Sequence, residues 1–480
     1  MSLPVMTYLT DHMACHNGKW DLAWEQYVTE SKPSDMPWWR GVTRYQWFAF
    51  AVVSGAWLFD TMDQRLFSLA RIPALTNLMQ LPAGGIEVQA FAKTATALFL
   101  VGWGIGGLLF GALGDRYGRV RMLTFSILIY SIFTGLTSIC RTHEEFALLR
   151  FATGVGIGGI FGLAVAILAE TMSGAARLAM LAGLQVLSTV GNVGAAFVKM
   201  GVDALAAHGV ISQAESWRWL FAIGAFPAVL ALASAIGLRE SEAWLKLKAA
   251  GTLPKGAFGS YAELLQEKDE RYNLLVGTLI SVAGVAGLWG IGEYAVDLQH
   301  AVFTTYFNAH VPAEQVAQRV AEVKNFAFLL QMGGGAVGML IFTWIAGRYG
   351  RRPAFMAGFL SAFVITVLVY WLLETPQDAY WMMPLMGAAQ FSVFAGFSIY
   401  LPELFGARTR GTGVSFAYNF GRFAAAGGSF GSALLTTELF GRFAAPAPLR
   451  YSAMVMCAVF LVGLFTTFIA PETRDRELRS

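Results

Sequence analysis

GDRYGR at Gly114–Arg119 returns as GRYGRRP at 347–353, so that Arg116 maps on Arg348 and Arg119 on Arg351 at an offset of 232. Glu170, followed seven positions later by Arg177, returns as Glu403 followed by Arg410 at an offset of 233. RES at 239–241 returns as PET at 471–473, again offset by 232. Three pairs at nearly one offset mark a duplication, and parallel duplicates of a helical unit place a ligand site at their mutual interface.

The composition says what is duplicated. Of 480 residues 56% are hydrophobic and 14% charged, against roughly a quarter charged in a soluble domain. Apolar runs reach the roughly 20 residues that a helix needs to cross the hydrocarbon core. They are continuous, without the alternation of barrel strands. The expected spans are 46–70, 93–114, 122–140, 146–170, 178–200 and 218–238, then 273–300, 325–346, 354–374, 379–402, 412–435 and 450–470. Domain boundaries follow: a segment 1–45, a first six-helix lobe 46–238, a polar loop 239–272, a second lobe 273–470 and a tail 471–480. Lys and Arg gather in alternate loops, which puts both termini in the cytoplasm. The segment 301–324 reads as a long external loop or as an amphipathic helix on the outer surface.

Several classes are excluded. The net charge is only +3, with no basic stripe for nucleic acid. Cys15, Cys140 and Cys457 are too scattered for a disulfide framework or a metal site, and residues 1–44 lack the pattern of a signal peptide. No nucleophile, base and metal-ligand cluster suggests an enzyme. GWGIGG from Gly102 and GVGIGG from Gly154 fit GxGxxG, but they lie in apolar spans, where small residues at this spacing serve helix packing.

GALGDRYGRVR (Gly111–Arg121), RFATGVGIGG (Arg150–Gly159) and RESEAWL (Arg239–Leu245) together resemble the major facilitator superfamily, from about Trp38 to the end of the chain. PWWRGVTRYQWFAF at 37–50 with LFDTMD, and LPELFGARTRGTG with YNFGR at 418–422, are similar to bacterial sialic acid transporters and related metabolite:proton symporters. Gly347, where a second Asp would stand, and Arg239, in place of the usual Pro, depart from the pattern. The resemblance implies an all-α membrane protein of twelve transmembrane helices in two six-helix pseudo-symmetric lobes. It also implies a cytoplasmic gate in which Asp115, Arg116 and Arg119 pair with helix ends or with Glu170 and Arg177, echoed by Arg348, Arg351, Glu403 and Arg410. A solvated, positively charged loop is the other reading of these residues.

Charges inside spans are costly and normally face a cavity. WLFDTMDQRLF, Trp57–Phe67, carries Asp60, Asp63 and Arg65. Counted at 1.5 Å per residue, Asp63 and Arg150 reach similar depths from opposite directions. A carboxylate beside a guanidinium stays ionised, whereas one left alone in an apolar wall takes up a proton. The pair is therefore either a proton-coupling site or a lasting structural bridge, while Asp60 is expected to face the central cavity and Arg65 to reach toward the outer interface. Further cavity candidates are Gln185 and Asn192, one helical face apart by seven residues, with Glu293, Asp297, Gln390, Asn419 and Arg422. Glu293 and Asp297 lie at the repeat positions of Asp60 and Asp63, facing either the cavity or its mouth. Arg422 needs an anionic partner, either from the protein or as a substrate carboxylate.

The expected function is proton-coupled symport of a small organic solute, a carboxylate of sialate, lactate or aromatic type. The alternatives are a sugar or polyol symporter, a metabolite or drug antiporter, and a nutrient sensor on a transporter fold. No cofactor is called for beyond a proton gradient. The partners are a small-molecule substrate and the lipid bilayer, with no nucleic acid, and the chain is expected to be a monomer in a bacterial inner membrane.

Overall fold

The computed structural model describes residues 37–82, 85–256, 258–443, 446–474 and 476–479. Two units are distinguished, Met1–Thr43 and Arg44–Ser480. The described part of the first holds one 3-10 turn, Trp38–Gly41; Cys15 lies outside the described residues.

In the second unit every described element is helical. The first half contains α1 (Arg44–Met79), α2 (Ile86–Tyr117), α3 (Arg119–Thr137), α4 (His143–Gly158), α5 (Ile160–Thr171), α6 (Gly174–Ala207), α7 (Ser216–Gly224) and α8 (Ala228–Gly237). Next come α9 (Glu242–Ala249) and α10 (Gly259–Gln266), then α11 (Lys268–His310), α12 (Ala313–Arg348), α13 (Arg351–Leu372), α14 (Pro376–Leu404), α15 (Arg410–Leu434), α16 (Ala447–Met456) and α17 (Val459–Ile469). Among the described residues, ten helical segments are long and apolar enough to cross a membrane. The expected twelve would also need α1 and α15, which are long but not among those ten.

Local chemistry sets the boundaries. Thr142 caps α4 by accepting from the Glu145 amide while the Glu145 carboxylate accepts from Arg141 N and Thr142 N. Thr375 and Asp378 repeat that reciprocal box at α14, satisfying donors that a helix start leaves unpaired. Three expected spans are interrupted: α4 and α5 meet at Gly159, α7 and α8 flank Pro227, and α16 and α17 meet at Cys457–Ala458. The polar stretch 239–272 is not an open loop, because α9 and α10 form inside it, the first capped by Ser241 on Trp244 N at 3.2 Å. The 301–324 segment is neither a loop nor a separate surface helix. It continues α11 to His310 and starts α12 at Ala313, because its helix-forming residues simply extend both neighbours.

The two GxGxxG stretches pack against each other. A Cβ on Gly106 would meet the Val155 carbonyl oxygen at 2.0 Å, and one on Gly158 the Trp103 carbonyl oxygen at 2.1 Å. Gly338 against Ala388 and Gly387 against Gln331 make the same close backbone crossing of α12 and α14. Small residues thus bring paired helices together in both halves. The halves meet where α2 packs on α15, and α6 on α12 and α14.

Candidate functional site

Three polar assemblies stand out, two bridging the halves and one inside the first half. The first lies at the end where α2 meets α3. There Glu170 accepts hydrogen bonds from Arg119 and Ser241 on one oxygen and from Arg410 of the other half on the second. The side chains of Arg119, Glu170 and Arg410 are each 1% exposed. Arg119 also reaches Asp115 at 3.2 Å and the Ala407 carbonyl. Asp115 accepts from the amides of Gly411 and Thr412, at 3.0 and 2.7 Å, and from the Thr412 hydroxyl at 2.7 Å. A carboxylate of the first half thus sits on the N-terminus of α15, where the helix dipole favours it.

The second half carries the matching parts with a different outcome. Arg351 binds Glu403 through two nitrogens, at 3.0 and 2.6 Å, and Thr473 donates to Glu403 at 2.5 Å. Arg177 senses Glu403 electrostatically, yet its Nε donates to the Met172 carbonyl at 3.0 Å. At Gly347, Leu178 occupies the space where a carboxylate would project. The cross-half clasp is therefore one-sided. Among the described residues Arg116 and Arg348 stay outside it, the first half-buried and the second exposed.

Glu240 and Glu472 are parts that the motif reading did not assign. Glu240 accepts from the amides of Arg119, Val120 and Arg121 at 2.9 to 3.1 Å, and Glu472 from those of Arg351 and Arg352 at 2.9 and 3.0 Å. Each caps the helix that follows a glycine at positive φ, Gly118 at 112° and Gly350 at 113°. The RES/PET repeat was the signal for both.

The second assembly is the Asp63 site. Arg150 Nη1 stands 3.5 Å from Asp63 Oδ2, and Thr134 donates to Oδ1 at 2.9 Å. Arg150 Nη2 donates to Thr137 at 2.7 Å and Thr153 at 2.9 Å, and its guanidinium lies 4.6 Å from the Phe221 ring centroid. Asp63 and Arg150 are fully buried. The threonines escaped the sequence reading because hydroxyls are unremarkable in membrane helices, although Thr134 and Thr137 share a helix face at three-residue spacing.

The third assembly is central. Three residues of helix fall about 60° short of a full turn, so Asp60 diverges from Asp63 toward the other half. Asp60 is fully buried, and both of its oxygens lack a hydrogen-bond partner. Arg422 of α15 is its electrostatic counterpart. That guanidinium stacks 3.4 Å from the Trp103 ring centroid and 5.0 Å from that of Tyr418, and donates to Asn419 at 3.3 Å. No carboxylate among the described residues lies within ion-pair distance of it. Tyr418 also stacks on Phe161 of the first half at 3.8 Å, beside Trp57, and interacts with Gln185, whose Oε1 is buried without a partner.

The remaining candidates separate. Asn192 is half-buried and donates to its own helix at Ser188 O, 2.9 Å away. Gln390 donates to Thr366 at 3.1 Å inside the second half, with its Oε1 unpartnered. Asn419 bonds Ser415 O at 2.8 Å and lies across from Gly158. Asp297 is exposed, and the side chain of Glu293 lies outside those described. Arg65 lies within α1, which continues to Met79, and its guanidinium is 4.1 Å from the Phe328 ring centroid across the halves. Tyr418 and Phe161 were not foreseen, since aromatic residues in spans default to packing.

Residues 86–480 match the sequence profile described as sugar (and other) transporter. A putative metabolite transport protein of Haemophilus influenzae is 26% identical over 91% of this chain and 99% of its own. The cis,cis-muconate transport protein of Acinetobacter baylyi is 25% identical over 79% of this chain and 84% of its own. Among solved structures, the major facilitator proton:xylose symporter XylE, bound to 6-bromo-6-deoxy-D-glucose, superposes with a TM-score of 0.71. It covers 90% of this chain and 98% of its own at 17% identity, a likeness of fold. The finer resemblance to sialic acid transporters rests on the sequence motifs alone.

Proposed function

The chain belongs to the sugar (and other) transporter family of the major facilitator superfamily, an integral membrane transporter and not an enzyme, and on that premise we propose that it carries a small organic carboxylate in symport with protons. The observation that carries this reading is the central mismatch: a buried guanidinium, Arg422, with no ion-pair partner among the described side chains, and a buried carboxylate, Asp60, with no hydrogen bond among them, contributed by opposite halves. A buried cation held on an aromatic face can donate to a carboxylate, which offsets the cost of burying its charge. The muconate transporter among the relatives handles a substrate of that class by its name.

Asp63 is the proposed proton carrier, paired with Arg150 in the state described. Separation of the pair when the halves rock would let Asp63 take a proton on one side and release it on the other. The clasp of Asp115, Arg119, Glu170 and Arg410 is the proposed cytoplasmic gate, closed in this state, with Arg177, Arg351 and Glu403 as its second-half counterpart. The orientation with both termini cytoplasmic, the bacterial inner membrane and the monomeric state belong to the same proposal. A sugar or polyol is the second reading, favoured by the unpartnered Oε1 atoms of Gln185 and Gln390, which can accept from hydroxyl groups.

The test is uptake by reconstituted vesicles under an imposed pH gradient, with cis,cis-muconate, lactate, aromatic acids, sialic acid and hexoses as solutes. Accumulation of an acid that collapses with the gradient is expected. In Asp63→Asn, gradient-driven accumulation should vanish while counterflow persists; unchanged accumulation refutes the coupling role.

A further inference from the structure

Arg65 lies five residues beyond Asp60 on α1, about 7.5 Å farther from the Glu170 clasp. Its guanidinium rests on Phe328 of α12, and its Nε is buried without a hydrogen-bond partner. Lys324 stands one helical turn before Phe328, half-buried, on the same face of α12 and within electrostatic reach of Arg65. Lys93 of α2 approaches from the first half, while Asp297 and His300 approach from α11. Two permanent cations from opposite halves, Arg65 and Lys324, are thus held near each other. The carboxylate that the described side chains bring to them, Asp297, is exposed and shared with Lys93. Glu322, on the neighbouring turn, is taken by Arg319 at 3.1 Å.

Like charges brought together away from bulk water repel, and a bound anion removes that repulsion. The Arg65 guanidinium lies 4.1 Å from the Phe328 centroid with its Nε unpartnered, and a guanidinium held against a ring can still pair through its edge with an oxyanion. We propose that Arg65 and Lys324, supported by Lys93, form a second anion site, an antechamber for a small dicarboxylate or similar oxyanion between the bundle end and Arg422. Its place on a substrate route rests on the reading of the central site; the binding itself does not.

The experiment isolates this site in the full-length purified protein carrying Arg422→Gln, with ionic strength held constant by sodium chloride. Thermal stabilisation is titrated with cis,cis-muconate and, separately, with sodium sulfate. A saturable rise in melting temperature is expected to persist in Arg422→Gln. Adding Lys324→Gln or Arg65→Gln should raise the half-saturating concentration at least tenfold, and Arg65→Lys should largely restore it. Loss of all anion-dependent stabilisation in Arg422→Gln, or a response unaffected by the Lys324 and Arg65 changes, overturns the proposal. Failure of carboxylate uptake in vesicles with this binding intact would overturn the proposed function and leave the site standing.

Discussion

At Arg422 a single side chain separates the two transport readings. Truncating one partner of a charge-assisted hydrogen bond costs roughly 1.5–3 kcal/mol, which corresponds to a factor of about 10 to 100 in half-saturating concentration. Arg422→Gln should weaken acid uptake on that scale and leave neutral hexose uptake, where present, within a few-fold. Equal damage to both, measured as initial rates against concentration, would assign Arg422 a structural role. The contrast with Arg150 is instructive. That guanidinium has Asp63, Thr137 and Thr153 around it, so its charge is satisfied within the protein and gives no hold for a solute. Sequence placed both arginines inside apolar spans; only their surroundings distinguish a cation with a carboxylate beside it from one held by aromatic rings and an amide.

Glu472 supplies a test in pH. Burial acts to raise its proton affinity, but amide donors from Arg351, Arg352, Arg474 and Thr473 win and hold the carboxyl below the ordinary glutamate value. The folded protein therefore binds this proton more weakly than the unfolded chain. Its stabilisation is complete above the ordinary value of about 4.3 and fades as the pH falls through the depressed one. Glu472→Gln should lower melting temperature at neutral pH and flatten the acid side of the stability profile; an unaltered profile would remove Glu472 from the account.

At the scale of elements, the starts of α3 and α13 are built alike. Each follows a glycine at positive φ and is closed by a distant glutamate on its first amides. A Cβ at Gly118 would come within 2.4 Å of Glu240 Oε1, and one at Gly350 within 2.6 Å of Glu472 Oε2. Gly118→Ala therefore combines backbone strain with displacement of the cap, and a loss of about 1–3 kcal/mol is expected. Thermal melting in detergent measures it, and a melting temperature equal to that of the parent would show that the cap adjusts freely. The glycines were legible as a repeat, and so was the acid of each cap, in RES and PET. What the repeat did not carry was the direction of the acids, since contacts about 120 residues apart depend on the path of every helix between them.

At the scale of the whole molecule, the proposed gate can be tested through the clasp. Glu170 ties Arg119 of its own half to Arg410 of the other, while Glu403 stays with Arg351. Glu170→Gln keeps the shape and removes the charge that draws both guanidinium groups together. The expected outcome is a shift toward the state open at this end. A single cysteine introduced at Ala407, beside the clasp, would report it through faster labelling by a membrane-impermeant thiol reagent in inside-out vesicles. A labelling rate matching that of the parent would show that the clasp does not set the equilibrium.

The all-helical spans, the duplication and the positions of buried charge were determined by sequence alone, because hydropathy and repeat spacing act along the chain. So was the candidacy of Asp60, Asp63, Arg150 and Arg422, since ionisable groups are rare in apolar helices. Only the tertiary structure decided which of them are paired. Asp60 and Asp63 are three residues apart, yet Asp63 meets Thr134 and Arg150 while Asp60 interacts only electrostatically with Arg422 of the opposite half. The tertiary structure likewise set the guanidinium of Arg65 against Phe328 of the other half. Pairing across the halves depends on how the two halves pack, through glycine crossings and aromatic stacks, and no local pattern encodes that registration.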